Sequence, residues 1–165
     1  MAKKEITYQP TIIYDELECS LDEKFRVLLP AALKKKISEQ AENTFVIIRG
    51  DYNNLVLYAQ QDWEVFSKNY LSQLNPYNEE HALAIENLTD GLTTVTLDAG
   101  GRLLLPKILC ADKKIKKDLV LKGMGNTINI WEKKEYLLHK QKMAEAGKEA
   151  KKKVIGGFNF SNQQP

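Results

Sequence analysis

The feature that most constrains the fold is a segment that occurs twice. Residues 20–30 align with residues 96–106 at a constant offset of 76, and Leu, Asp, Arg, Leu, Leu and Pro are identical at six of the eleven aligned positions. Matched apolar runs follow in the same order, at 45–47 and 55–58 in the first copy and at 119–121 and 128–131 in the second. Self-similarity of this kind marks a duplicated structural unit. The chain is therefore predicted to contain two copies of one small fold.

Each copy is predicted to form strand, turn, strand, short helix, strand, turn, strand and a longer helix. Apolar and polar residues alternate over residues 17–21, which is typical of a half-buried strand. Pro30 ends the next strand and favours a short helix over residues 31–38. Turn-forming residues at 51–54 and 123–126 separate apolar runs and predict a β-hairpin in each copy.

Three longer helices are predicted from apolar residues at spacings of three and four. The first has Asp62 as its N-cap. Its apolar stripe consists of Trp63, Phe66, Tyr70 and Leu74. The second begins at Asn78 and ends near Gly91, and the third runs from about residue 132 to residue 153. Stripes of this kind predict core or subunit contacts.

The composition narrows the class of protein. The chain has 165 residues, of which 43% are hydrophobic and 28% charged, which indicates a globular protein. Its apolar runs fall far short of the ~20 residues that a membrane helix needs, and no signal peptide is recognised, so we expect a cytoplasmic protein without a membrane partner. Cys19 and Cys110 are predicted to be free thiols, and with two histidines no metal site is expected. Because His81 and His139 lack evident partners and no catalytic motif is present, no enzyme activity, cofactor or small-molecule substrate is predicted.

The net charge of +2 conceals an asymmetry. Residues 1–106 carry 10 Lys and Arg against 16 Asp and Glu, whereas residues 107–165 carry 14 against 6. The downstream lysines either form solvated faces or contribute a surface that attracts phosphates. Charge alone does not decide between these two interpretations.

The repeated motif places an Asp four residues before an Arg, across a tight turn: Asp22 and Arg26 in the first copy, Asp98 and Arg102 in the second. The Asp can accept hydrogen bonds from turn amides and can hold the Arg by a charge-assisted bond. An arginine held in this way suits a phosphate or the O6 and N7 edge of guanine. The alternative is a local structural salt bridge without a ligand.

The pattern Leu-Asp-x-x-x-Arg-x-Leu-Leu-Pro, present twice, resembles the MraZ family, whose members are bacterial transcriptional regulators related to the AbrB-like swapped-hairpin DNA-binding proteins. The resemblance runs from about Tyr14 to Leu138 and includes Trp63 and the Asn75-Pro76 pair. It implies a β-rich α+β fold in which two tandem AbrB-like units form a pseudo-dimeric barrel, with amphipathic helices after each unit. The predicted segments are a first unit with its trailing helix at 9–75, a connecting helix at 76–92, a second unit with its C-terminal helix at 93–153, and a flexible tail at 154–165.

The resemblance also implies a function. Family members assemble into rings and bind short direct repeats of double-stranded DNA in the promoter of their own operon, the division and cell wall gene cluster, which places them at the nucleoid. Carried to this chain, the DNA-binding residues are Lys24, Arg26 and Arg102. The residues that support the motif are Asp22, Asp98 and Gly101.

Two positions depart from the family pattern. Phe25 stands where Gly is usual, and Gly100 stands where Lys is common. Because a bulky residue is strained at positive φ, we expect the first turn to have a different shape or Phe25 to pack against a neighbouring subunit, and a contact with a thymine methyl or a base step is a further alternative. Lysines downstream are expected to replace the charge missing at Gly100.

Two other functions compete with DNA binding. The acidic first half and Phe25 are also compatible with an oligomeric assembly protein that has lost specific DNA recognition. An AbrB-like antitoxin that binds a toxin through its tail is disfavoured, because such antitoxins are usually short and have a single unit.

Overall fold

A computed structural model describes residues 7–37 and 41–158 of the chain. The chain divides into two compact units, one ending at Lys133 and the other beginning at Lys134. The described part of the second unit is mostly a single long helix. The first unit contains both copies of the repeated motif.

The order of strands and helices is the predicted one in both copies. The first copy contains β1 (Glu16–Ser20), β2 (Arg26–Leu28), α1 (Ala31–Lys34), β3 (Thr44–Arg49), β4 (Asn54–Ala59) and α2 (Gln60–Asn69). A single 3-10 turn (Leu71–Gln73) and α3 (Glu79–Thr89) lead to the second copy. The second copy contains β5 (Thr93–Thr96), β6 (Arg102–Leu104), α4 (Lys107–Asp112), β7 (Asp118–Gly123), β8 (Thr127–Glu132) and α5 (Lys133–Val154).

The two copies exchange strands with each other. β1 of the first copy pairs antiparallel with β7 of the second, with Leu17 opposite Leu121. In the reciprocal pairing, β5 of the second copy lies against β3 of the first, with Val95 opposite Phe45. The equivalent strands β4 and β8 pair at the centre. Each copy therefore completes the sheet of the other.

The resulting sheet has the order β1-β7-β8-β4-β3-β5, and β2 and β6 form a separate two-stranded sheet. Across the described residues, the large sheet has β1 and β5 as its edges and does not close on itself. The closed barrel that the family resemblance implies is therefore not found, because β2 and β6 pair with each other instead of continuing the large sheet.

The core is built from residues of both copies. Val27 and Leu103 on the inner face of the two-stranded sheet are completely buried, and so is Leu33 of α1. Leu109 occupies the equivalent place in α4 and is also buried. Because burying each such side chain contributes roughly 1.5–3 kcal/mol, the two copies stabilise each other through one shared core.

Helix α1 is shorter than predicted. It ends at Lys34, and a turn follows at Lys35 and Lys36. Ser38, the predicted end, lies outside the described residues. Pro30 immediately precedes the helix in an extended conformation, with ψ of 140°, so the predicted role of this proline at the strand–helix boundary is confirmed.

The prediction that Asp62 caps a helix is wrong. Helix α2 begins at Gln60 directly after β4, so Asp62 is the third residue of the helix. Asp62 is completely buried, and its Oδ1 accepts hydrogen bonds from the Tyr8 hydroxyl and from the backbone N–H of Thr11. Burial, together with this bond, raises the pKa of Tyr8. Asp62 therefore anchors the segment that precedes β1.

The predicted apolar stripe also extends past the end of α2. Trp63 and Phe66 lie on the helix, with ring centroids 5.6 Å apart, but the helix ends at Asn69. Tyr70 is therefore the C-cap residue and Leu74 follows the 3-10 turn. The spacing alone did not reveal this end, because apolar spacing continues through the capping residues.

The other two helix predictions are confirmed to within two residues. The Asn78 side chain accepts the backbone N–H of His81 at 3.1 Å, as an N-cap does, and α3 ends at Thr89. Helix α5 begins at Lys133. In the part of the chain that the structure describes, no helix combines the length and the apolar character needed to span a bilayer.

Candidate nucleic-acid interface

The first Asp-x-x-x-Arg motif, which we call turn 1 (Asp22–Arg26), is organised by its aspartate. Asp22 Oδ1 accepts the backbone N–H groups of Lys24 and Arg26, both at 2.9 Å. Asp22 Oδ2 accepts the Nε–H of Arg26, also at 2.9 Å. The backbone N–H of Phe25 donates to the Asp22 carbonyl at 3.0 Å and closes the turn. One carboxylate thus sets both the backbone of the turn and the direction of the arginine.

The second motif, turn 2 (Asp98–Arg102), repeats this arrangement. Asp98 Oδ1 accepts the backbone N–H groups of Gly100 and Arg102, and Oδ2 accepts the Nε–H of Arg102, each at 2.9 Å. The predicted pairing of aspartate and arginine is therefore present in both copies. Because the same hydrogen bonds form in both copies, the Asp-x-x-x-Arg spacing indicates one specific turn conformation.

The same bonds explain the electrostatics of the two aspartates. The backbone N–H of Arg26 is the largest of the causes that hold the pKa of Asp22 below its ordinary value, and the Arg26 side chain adds to it. The backbone N–H of Arg102 has the same effect on the pKa of Asp98. Both carboxylates are consequently ionised at neutral pH. Each aspartate accepts only the Nε–H of its arginine side chain. The other four N–H donors of the guanidinium do not take part in this bond.

The expectation that Phe25 gives turn 1 a different shape is wrong. Phe25 has φ of 60° and Gly101, at the equivalent position, has φ of 78°, so both turns use the left-handed conformation. The ring of Phe25 is half-buried and packs against the core of its own chain. The Nζ of Lys107 lies 5.4 Å from its centroid. Packing within the chain therefore offsets a backbone conformation that costs a non-glycine residue on the order of 1–2 kcal/mol.

The two turns lie at opposite ends of the two-stranded sheet, which we call the ribbon (β2 and β6). Arg26 pairs with Leu104, and Leu28 pairs with Arg102. At about 3.4 Å per residue, the two arginines are therefore separated by roughly 7 Å along the strands. Val27 and Leu103 point into the core, so the outer face of the ribbon presents Arg26, Leu28, Arg102 and Leu104. The fold thus brings the two predicted arginines onto one surface.

Each turn also receives a lysine from the other copy, which the sequence did not reveal. The Nζ of Lys34 in α1 lies 3.1 Å from the position that a β-carbon on Gly101 would occupy. Lys107 at the start of α4 lies over Phe25 of turn 1. The lysine beside Gly101 of turn 2 therefore comes from upstream in the sequence. The expectation that downstream lysines replace the charge missing at Gly100 stays a prediction. Lys24 of turn 1 is exposed.

Backbone hydrogen bonds also connect each turn to the other copy. The N–H of Leu105 donates to the carbonyl of Phe25 at 2.8 Å, and the N–H of Leu29 donates to the carbonyl of Gly101 at 3.3 Å. The strand that leaves each turn is therefore bonded to the turn of the other copy. This reciprocity keeps the two arginines in a fixed mutual position.

The two cysteines differ in chemical character from the charged residues of this surface. Both are free thiols, as predicted, but only Cys110 is completely buried, and Cys19 is half-buried on β1. Burial raises the pKa of each thiol to about 11. The reactive thiolate form is therefore scarce at neutral pH.

Two strand-exchanged repeats, each with an arginine-bearing turn at the surface, define a duplicated β-rich protein of the α+β class. The chain matches the family model of the MraZ protein twice, at residues 12–84 and 88–155. A protein named transcriptional regulator MraZ from Cytophaga hutchinsonii is 38% identical over 117 residues, covering 70% of this chain and 76% of the relative.

Proteins of the same name from two other bacteria extend the match. The one from Christiangramia forsetii is 33% identical over 144 residues, covering 87% of this chain and 92% of the relative. The one from Flavobacterium psychrophilum is 33% identical over 120 residues, covering 72% of this chain and 76% of the relative. The chain belongs to the MraZ family of transcriptional regulators.

Proposed function

We propose that this protein is a sequence-specific regulator that binds double-stranded DNA at short direct repeats in its own promoter, in the division and cell wall gene cluster. The observation that carries the proposal is the pair of matched turns, in which a carboxylate holds one edge of an arginine and leaves the rest of its donors for a ligand. The class of ligand that suits such a fork is a phosphate or a guanine edge.

The residues have distinct roles in this proposal. Arg26 and Arg102 read base edges or anchor phosphates, and Asp22 and Asp98 orient them. Lys24 binds phosphate beside turn 1, and Gly101 provides the left-handed residue of turn 2. Lys34 and Lys107 are added to the phosphate-binding set, because each is exposed and each lies at the turn of the other copy.

The protein is further proposed to work in the cytoplasm at the nucleoid, as a ring of identical subunits in which each copy acts as one half of a pseudo-dimer. Family membership supports the ring, and multivalency supplies its advantage. Weak contacts made by adjacent subunits to tandem repeats add to a strong total, because the second contact is effectively intramolecular. Native mass spectrometry of the full chain tests the ring, and a monomeric protein at micromolar concentration would remove it.

DNA binding is tested by a mobility shift with DNA from upstream of this protein's own gene and with scrambled DNA of the same length, at two salt concentrations. We expect selective binding that weakens with salt. Arg102→Ala should lower affinity by roughly 5- to 150-fold, since a good bidentate contact contributes about 1–3 kcal/mol. Arg102→Lys should keep the salt dependence and lose much of the selectivity, because lysine lacks the planar fork.

The matched control is Lys68→Ala, which removes an exposed cation on α2, away from the turns in sequence. It should bind as the unmodified protein does. Equal affinity for both DNAs with an intact ring would reject sequence-specific regulation and favour the assembly function.

A further inference from the structure

The outer face of the ribbon carries two leucines where solvent-facing strand positions normally carry polar residues. Leu28 is 58% exposed and Leu104 is 53% exposed, whereas the intervening Val27 and Leu103 are completely buried. The two leucines are equivalent in the duplication, so the exposure occurs twice. An apolar side chain repeated at a surface that also carries the two arginines indicates a contact surface.

The register of the ribbon sets the pattern of this surface. Leu104 lies directly opposite Arg26, and Leu28 lies directly opposite Arg102. The Cδ1 of Leu28 is 3.8 Å from the position of a β-carbon added to Gly101, so this leucine reaches turn 2 of the other copy. Each leucine is therefore paired with the arginine of the other copy, and the arginines flank the leucines on one face.

A ribbon of two strands has the width that the major groove of B-DNA accepts, and β-ribbon proteins read bases with the side chains of one ribbon face. In the major groove, thymine is the base that presents a methyl group, and apolar side chains contact it. The lysines at the two ends of the ribbon, Lys107 near turn 1 and Lys34 near turn 2, are positioned for phosphates on either side of a groove.

We propose that the ribbon enters the major groove and that Leu28 and Leu104 determine base preference by contacting thymine methyl groups, next to the bases or phosphates bound by Arg26 and Arg102. This inference rests on the proposed DNA binding and adds the specificity residues. DNA is favoured over a second copy of the chain as the occupant on grounds of charge. Asp22 and Asp98 balance the charges of the two arginines, and the exposed lysines at the turns, Lys24, Lys34 and Lys107, add positive charge that DNA complements and a second copy would repel.

The test compares promoter DNA with the same DNA synthesised with deoxyuridine in place of thymidine, which removes only the 5-methyl groups. The unmodified protein should lose affinity by about fourfold for each methyl contact, or roughly 15-fold for two, the value expected for burial of one carbon each. The variant Leu28→Ala/Leu104→Ala should bind thymidine DNA with a similar loss and should show no further loss on deoxyuridine DNA.

The matched control is Leu83→Ala, which removes a leucine of α3 that is also 58% exposed. It should keep both the affinity and the sensitivity to deoxyuridine. Circular dichroism of all variants should be unchanged, since the two ribbon leucines are exposed. The comparison of the two DNAs with the unmodified protein does not depend on any variant.

Three outcomes would overturn the inference. Equal affinity of the unmodified protein for both DNAs would contradict the proposed methyl contact without contradicting DNA binding. Undiminished sensitivity in the double variant would assign the contact to another residue, such as Phe25. A change in oligomeric state of the double variant, with unchanged DNA binding, would identify a second copy of the chain as the occupant. Failure of the unmodified protein to select its promoter would instead reject the proposed function.

Discussion

Turn 1 and turn 2 have the same backbone and different side chains. In both, the aspartate accepts two backbone N–H groups and one arginine Nε–H at 2.9 Å, and the residue before the arginine is left-handed. The left-handed residue is Phe25 in one and Gly101 in the other, and Lys24 corresponds to Gly100. The comparison shows that the aspartate and the strand pairing determine the conformation of the turn. The residue before the arginine adopts the left-handed conformation whether it is Phe or Gly.

The side chains nevertheless make the two turns unequal as binding elements. The side chain of Arg26 is 27% exposed and that of Arg102 is 39% exposed. Phe25 and Lys107 add an apolar and a cationic contact beside turn 1. In turn 2, Gly100 is exposed and Gly101 is buried, and Lys34 approaches from the other copy. We therefore expect turn 2 to approach DNA more closely and turn 1 to be more rigid.

Removing either aspartate is expected to have the largest effect. Asp22→Ala and Asp98→Ala should each lower affinity for promoter DNA by more than about tenfold, since the arginine loses the bond that orients it. Asp22→Ala should lower the melting temperature more, because its turn must still hold Phe25 at positive φ. DNA titrations and calorimetry measure the two effects. A greater loss of stability in Asp98→Ala would show that the left-handed residue does not control turn stability.

Substituting the left-handed residues sharpens the comparison further. Gly101→Ala should destabilise the fold by about 1–2 kcal/mol, because alanine is strained at φ of 78°. Phe25→Gly should change stability by less than about 1 kcal/mol, since relief of strain offsets the lost packing and the added chain entropy. Urea unfolding followed by circular dichroism measures both.

Gly147→Ala is the control for those substitutions. Gly147 lies inside α5 with open space around the added carbon, so alanine should stabilise that helix by roughly 0.5–1 kcal/mol. A Gly101→Ala variant as stable as the unmodified chain would contradict the assigned conformation of turn 2.

Substitution of Lys34 or Lys107, each of which lies at the turn of the other copy, should have a smaller effect on DNA affinity. The effect should be equal at the two turns. Lys34→Gln and Lys107→Gln should each reduce the slope of log affinity against log salt by about 0.9, the value for one phosphate contact. Fluorescence anisotropy at four or more salt concentrations measures the slope, and Lys68→Gln should leave it unchanged. If only the Lys34 variant alters the slope, Lys107 makes no phosphate contact.

The smallest expected effect is on the titration of the aspartates. The pKa of Asp98 lies below its ordinary value of 3.8, and the largest cause is the backbone N–H of Arg102, which remains in Arg102→Ala. The pKa should therefore rise only in part in that variant and stay below 3.8, as measured by NMR titration of the carboxyl carbon. A full return to the ordinary value would mean that the side chain alone depresses the pKa.

The pH dependence of stability follows from the same shift. Because the pKa is lower in the folded chain than in the unfolded one, the stabilisation by Asp22 and Asp98 is present in full above the unfolded pKa of about 3.9. It is lost as the pH falls through the lower folded values. These two groups should consequently leave stability unchanged between about pH 5 and pH 8.

Features that depend on neighbours in sequence were the predictable ones. Asp22 lies four residues before Arg26 and closes a bond within one turn, so the motif alone predicted that bond. Asn78 likewise caps its helix through an amide three residues away. The wrong predictions depended on distant contacts. Asp62 follows a strand and is a residue type that N-caps favour, but in the folded chain it is buried and accepts hydrogen bonds from Tyr8 and Thr11 instead.

The sequence by itself determined the duplication, the order of the strands and helices, and the pairing of aspartate with arginine, because each is encoded in local spacing and repeated in both copies. Only the tertiary structure decided that the copies exchange β1 and β5, that Arg26 lies opposite Leu104, and that Lys34 and Lys107 cross to the other turn. These contacts join residues that are distant in the chain. They are selected by the burial of one shared core, which has no signature in the spacing of either copy alone.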